Sequence, residues 1–332
     1  MAGFNPANHQ TEEAGSDARL FLCQISRQRV CSYFVPSLRG PKLPQKFGST
    51  HTEDKLEKLE AYLERFTLVL KNHPFKLVYF DAFAGTPEID IGADASPSLL
   101  VEDVQPFRDG SSKRALKFGD KFEKYIFVDS KRSNVRELES LKANFPAIAQ
   151  RIDIRYSEAN TEIQKFCANW PKGQRAVVFL DPFGNQVAWE TVVAIAETKA
   201  IDLWYLFPAG LGVHRQISKS GSHEGREQSL DRLFGTKDWR EKFVESRDAT
   251  DLFGAATARS KVATPKSITL YMIDRMKSVF RGGVLDEWLP LGSNGRHSYS
   301  LIFACANPDP KAHELALRLA RGVLRSKLRG RS

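Results

Sequence analysis

Val78-Tyr79-Phe80-Asp81-Ala82-Phe83-Ala84-Gly85-Thr86 decides how this chain is read. An apolar strand runs into one carboxylate, then small residues and a single glycine. Doubly wound α/β proteins use that arrangement to bring backbone against a nucleotide-like ligand. On the amino-terminal side, His51-Thr52 leads into Glu53 and Asp54, and Leu56, Leu59, Leu63, Phe66 and Leu70 follow at helical spacing. Thr52 is the expected cap, the acidic residues suit the positive end of the helix dipole, and Pro74 lies just past the end.

On the carboxyl-terminal side, strand-like and helix-like stretches alternate. Residues 77–80, 125–128, 152–156, 176–180 and 201–207 read as strands. Between them lie helical patterns carrying Val135, Leu138 and Leu141, then Ile163 and Phe166, then residues 189–196. Continuous apolar strands alternating with helices imply a parallel sheet covered on both faces. The pattern breaks after Pro208. Residues 211–262 are rich in Gly, Ser, His, Arg and Lys, with short helical pieces near Leu230 to Phe234 and Trp239 to Phe243, and read as an insertion over the carboxyl edge of the sheet. A helix over 267–280 follows. Residues 284–291 and 299–304, separated by Gly292-Ser293-Asn294-Gly295, read as a closing antiparallel hairpin. Residues 1–50, punctuated by Pro36, Gly40, Pro41, Pro44 and Gly48, read as a loosely attached extension, which leaves 51–332 as the main domain.

Composition bounds the function. With 42% hydrophobic residues in 332, the chain can build a sizeable core. No run approaches the roughly 20 apolar residues of a membrane helix, and the amino terminus lacks signal-peptide order, so a cytoplasmic protein without membrane contact is expected. Cys23, Cys31, Cys167 and Cys305 are widely spaced, so neither a metal site nor a disulfide framework is expected. The net charge of +9 sits in the ends: residues 1–50 carry +3, residues 311–332 carry +6, and the stretch between them sums to zero. The basic carboxyl-terminal segment, including Arg318, Arg321 and Arg325, could steer the protein toward nucleic acid, although a solvated helix face is the simpler account.

The candidate site residues stand at strand ends. They are Asp81, Phe83, Ala84, Gly85 and Thr86 after the first strand, Asp129 after the second, Glu158 and Asn160 after the third, and Asp181-Pro182-Phe183-Gly184 after the fourth. Each has a role if the ligand is S-adenosylmethionine. Gly85 and its small neighbours admit close backbone approach, Asp129 accepts the ribose hydroxyl protons, and Glu158 and Asn160 bracket the adenine. Asp181 would accept a hydrogen bond from a target amine while Phe183 stacks on a planar ring. Each carboxylate also has a purely local reading, Asp81 and Asp129 as caps and Asp181-Pro182 as turn chemistry. A nicotinamide fold ranks last, because it wants G-x-G-x-x-G, and only Gly85 stands here.

Several of these stretches together resemble the three-Cys-motif partner proteins. The matching features are His51-Thr52 with Lys55-Leu56 and Tyr62-Leu63; Asp81-Ala82-Phe83-Ala84-Gly85-Thr86; Ser96-Pro97; Phe127-Val128-Asp129; Glu158-Ala159-Asn160; Phe179-Leu180-Asp181-Pro182-Phe183-Gly184 with Trp189; and residues 201–208. The resemblance covers roughly residues 50–325. It implies a Rossmann-like, class I methyltransferase-type domain with a doubly wound, mostly parallel seven-stranded sheet whose last hairpin supplies an antiparallel strand. It also implies S-adenosylmethionine as cofactor and a partner protein bearing the three-cysteine motif, which the four cysteines here do not form. The expected activity is methyl transfer, with nucleic acid first among acceptors. The alternative is a non-catalytic Rossmann-like scaffold that docks another protein, favoured by Pro87 in the ligand loop and by the 211–262 insertion.

Overall fold

Seven strands form one sheet in the computed structural model, which describes residues 50–90, 107–217, 224–251, 254–292 and 296–326. They are β1 (Lys76–Asp81), β2 (Lys124–Asp129), β3 (Ile152–Tyr156), β4 (Gln174–Leu180), β5 (Ile201–Phe207), β6 (Leu289–Leu291) and β7 (Tyr299–Cys305). Their spatial order is β6-β7-β5-β4-β1-β2-β3. Pairings from β5 through β4, β1 and β2 to β3 are parallel, and β7 runs antiparallel to both β5 and β6. The fold is therefore α/β with a mostly parallel seven-stranded sheet. The described residues all fall within one compact unit, Leu43–Ser332. The expected extension over 1–50, apart from Thr50, lies outside the described residues, as do Cys23, Cys31 and Ser96-Pro97.

Both faces of the sheet are covered, and so the central strands read as nearly unbroken apolar runs, while the edge strand β3 is only partly buried. Val78, Phe80, Ile126, Val178, Leu180, Leu203 and Tyr205 build one core with α4 (Ala159–Ala168), α5 (Trp189–Glu197) and α8 (Pro265–Lys277). Leu77, Tyr79, Tyr125, Phe127, Phe179 and Trp204 build the other with α1 (Thr50–Leu70), α3 (Arg132–Asn144) and α9 (Pro310–Arg325). Leu56, Leu59, Leu63 and Phe66 of α1 are all buried, each worth about 1.5–3 kcal/mol. Tyr62 packs edge-on to Trp204 at 5.3 Å and against Phe303 at 5.0 Å, fastening α1 across β5 and β7.

Local expectations failed in three places. Helix α1 begins at Thr50, so Thr52 lies inside its first turn rather than capping it. The strand expected over 284–291 shrinks to Leu289–Leu291 plus a single bridge between Val284 and Ala304, because from that bridge to the Leu289–Leu301 pair this segment takes five residue steps against three on β7, a bulge that breaks the ladder. The insertion holds α6 (Glu224–Phe234) and α7 (Trp239–Phe243) as read, and also an antiparallel hairpin, Val244–Asp251 with Gly254–Lys261. Those hairpin strands are mostly polar or small, with no apolar alternation to announce them. Among the described residues, no helix is long and apolar enough to cross a membrane.

Candidate ligand site at the carboxyl edge of the sheet

The strand order reverses direction at β1, whose neighbours are β4 on one side and β2 on the other. The turn leaving β1 thus stands at the switch point where open α/β sheets take ligands. Gly85 holds φ +61°, a left-handed conformation that costs other residues about 1–2 kcal/mol. A Cβ added there would meet nothing closer than 4.0 Å, so the space above the turn is open. Ala84 N–H donates to Val128 O at 3.0 Å and Gly85 N–H to Asp129 Oδ2 at 3.1 Å, which stitches this turn to the end of β2.

Asp81 is wholly buried beneath the turn rather than facing a ligand. Its oxygens accept from Phe83 N–H and the Tyr79 hydroxyl, both at 3.3 Å, and from the side chain of Ser111, which opens α2 (Ser111–Leu116). Burial pushes this carboxyl up to about 7, and the nearby Asp181 charge pushes the same way against those hydrogen bonds. The structure makes Asp81 the support of the turn, where the sequence reading placed it in contact with the cofactor. Ala84 is likewise buried, while Phe83, Gly85 and Thr86 remain half-buried.

Asp129 accepts three hydrogen bonds, from Gly85 N–H, from Lys131 N–H at 2.6 Å and from Asn134 Nδ2 at 3.0 Å. It therefore both ties the turn and holds the backbone that enters α3, and it remains half-buried, with one acceptor position to spare. Glu158 is exposed and caps α4 through Thr161 N–H at 2.8 Å. Burial alone would raise its carboxyl, but the hydrogen bonds from Thr161 and Asn160 prevail and hold it below the ordinary range. Asn160 has no hydrogen-bonding capacity left for an adenine. Its Nδ2 donates to Glu158 Oε1 (2.6 Å) and Gln186 O (2.9 Å), and its Oδ1 accepts from Ala188 N–H and Thr191 Oγ1, both at 2.8 Å. This corrects the expected role: Asn160 braces α4 against the turn after β4.

That turn starts at half-buried Asp181 and buried Pro182, then exposes Phe183 at 56% before Gly184 reverses the chain at φ +72°. Gln186 Oε1 holds Phe183 N–H at 2.8 Å, and Lys131 Nζ stands 5.8 Å from the Phe183 ring centre. Arg132 lies similarly over exposed Tyr156 at 5.7 Å. Asp181 is ion-paired with Lys55, which reaches in from the first turns of α1. Tyr299 of β7 is close enough that the Asp181 charge, after burial itself, raises its phenol. The contacts run without a gap from Gly85 through Asp129 and Lys131 to Phe183, Gln186, Asn160 and Glu158, joining the four turns into one rim. Sequence reasoning missed Tyr156, Lys131, Arg132 and Tyr299 as members of this rim, and gave Lys55 no role in it. An aromatic or basic residue next to a strand end was the only local signal, and it is a common one.

As a fit for an adenosyl ligand, the rim offers an open glycine turn, the Asp129 and Glu158 carboxylates for ribose hydroxyls, and the exposed Tyr156 and Phe183 rings for stacking. Asp81 and Asn160 are spent internally. No protein-family model matches the chain, and no curated protein matches it. Among solved structures it is similar to protein LPL1258 from Legionella pneumophila, with 13% identity and a TM-score of 0.38 over 70% of this chain and 94% of that one. It is also similar to a SAM-dependent methyltransferase from Agrobacterium tumefaciens, with 12% identity and a TM-score of 0.29 over 62% of each chain. A third is an uncharacterized COG1565 superfamily protein from Burkholderia thailandensis, with 10% identity and a TM-score of 0.30 over 78% of this chain and 80% of that one. The strand order itself positions the site.

Proposed function

We propose that this chain is an S-adenosylmethionine-dependent methyltransferase of Rossmann-like, class I type, related to the three-Cys-motif partner proteins and acting on a nucleic-acid amine. One observation carries the reading: the glycine turn after β1 is hydrogen-bonded to the carboxylate ending β2, at the point where the sheet reverses direction. Bound S-adenosylmethionine supplies a methyl group already activated on a sulfonium. The protein then has only to position an acceptor and remove its proton. Gly85 allows backbone to approach the ligand, and Asp129 and Glu158 accept its hydroxyl protons. Phe183 and Tyr156 offer planar faces to an unstacked base, with Lys131 and Arg132 beside them for phosphate. Asp181 accepts the proton of the acceptor nitrogen once Lys55 yields its place.

Calorimetry of the full chain with S-adenosylhomocysteine tests the reading. We expect wild type to bind and Asp129→Ala to lose tenfold or more, about 1.4 kcal/mol or greater. Absence of binding by wild type would remove the proposal. The Lys55 ion pair on Asp181 favours the second reading, a non-catalytic scaffold docking a three-cysteine-motif protein. Ligand binding without methyl transfer to any oligonucleotide, together with a stoichiometric co-purifying partner, would select it.

A further inference from the structure

A half-open hollow of about 470 Å³ lies at the opposite end of the sheet, where β4 and β5 begin and β7 ends. This is the size of a small-molecule pocket, about 300–1,000 Å³. Phe66, Val69 and Leu70 of α1 form one wall, and Ala312, Leu315 and Leu319 of α9 form the other. The polar lining residues include Arg175, Asp202, Asp309 and Lys311. Asp202 is satisfied within the protein: Oδ2 accepts from the Tyr62 hydroxyl at 2.7 Å, and the Cys305 thiol also bonds the carboxylate. Asp309 at the rim is occupied in capping α9 through Ala312 N–H at 2.9 Å.

Arg175 differs from both. Its guanidinium lies over the Phe75 ring at 4.4 Å, and Nη1 donates to Gln174 O at 3.1 Å. Among the described residues, Nε and Nη2 have no hydrogen-bond partner and the group forms no ion pair within 4 Å, although its charge acts from farther off on the Asp202 carboxylate. A guanidinium lining an apolar trough with part of its fork unspent matches a carboxylate in geometry as well as charge. Exposed Lys311 borders the same rim as a second cation, while the positive end of α9 is already answered by the Asp309 carboxylate.

We propose that this hollow is a second ligand site, which takes a single-chain aliphatic carboxylate with its hydrocarbon between α1 and α9 and its head on Nε and Nη2 of Arg175. The site stands apart from the carboxyl edge and does not depend on the methyltransferase reading.

The test is calorimetry of the full chain with hexanoate, octanoate and decanoate below their micellar concentrations, alongside decylamine and decanol. Each added CH₂ should tighten binding about fourfold, the equivalent of roughly 0.8 kcal/mol. Arg175→Gln should weaken decanoate by about tenfold or more, since the hydrogen bonds it removes are charge-assisted, and should leave decanol unchanged. Ala312→Trp, at a half-buried position on the trough wall, should abolish binding of both while S-adenosylhomocysteine titrations stay as in wild type. Failure of decanoate to bind, equal binding of decylamine, or insensitivity to either substitution in a protein with an unaltered melt would overturn the proposal.

Discussion

Replacing Asp81 by asparagine should stabilise the protein above neutrality and change little near pH 4. The carboxyl is wholly buried, and its folded value is raised from 3.8 to about 7, chiefly by loss of hydration. Below the unfolded value both states are protonated, and the group costs nothing. As pH rises from there toward the folded value, the unfolded chain ionises while the folded chain does not, so stability falls. Above the folded value the penalty is complete. A shift of about three pH units at about 1.4 kcal/mol each amounts to about 4 kcal/mol. Asparagine keeps the hydrogen bonds, because Oδ1 can accept from Phe83 N–H and Nδ2 can meet the Tyr79 oxygen. Asp202, raised to about 6 by its own burial, titrates in both proteins and cancels in the difference. Urea unfolding of wild type and Asp81→Asn, followed by tryptophan fluorescence, measures that difference at each pH. It should grow in favour of asparagine by about 1.4 kcal/mol per unit between about pH 4 and pH 7 and then level off. A difference that stays flat across that window would mean that Asp81 is ionised throughout, and the account of a neutral acid holding the turn would fail.

Two further outcomes follow from the same rim. Lys55→Met removes one partner of a largely enclosed ion pair, with side-chain exposures of 14% and 24%, and should cost about 1–3 kcal/mol in thermal or urea unfolding; adding Asp181→Asn should recover most of the loss. If the double variant is instead as unstable as the sum of the singles, the two side chains are not coupled. Gly85→Ala meets no atom but must adopt φ +61°, so it should destabilise by about 1 kcal/mol and weaken S-adenosylhomocysteine. An unchanged melting temperature would argue against the left-handed turn.

Much of this architecture was legible in the residues before any coordinates. Strands 125–128, 176–180 and 201–207 were visible because a strand buried on both faces is almost wholly apolar; 201–207 and the partly buried edge strand 152–156 recur with the same bounds, and the other two gain two residues each. The helices carrying Leu138, Ile163 and Val192 were visible through their apolar spacing, and the positions of Gly85, Asp129 and Asp181 at strand ends through simple adjacency in the chain. The polar hairpin after α7 was not, since nothing in its composition distinguishes a solvated pair of strands from a loop.

What the linear chain determined was therefore local: periodicity, the alternation of strand and helix, and the residue type that ends each strand. Tertiary structure alone decided which strands became neighbours, and with that the placing of the β1 turn against β2. It also sealed Asp81 under that turn, exhausted Asn160 in four internal hydrogen bonds, and brought Lys55 to Asp181 across 126 residues of sequence. The reason is physical. Propensity and periodicity act over a few residues, whereas burial, hydrogen-bond satisfaction and charge pairing depend on distances in space that only the packed core sets.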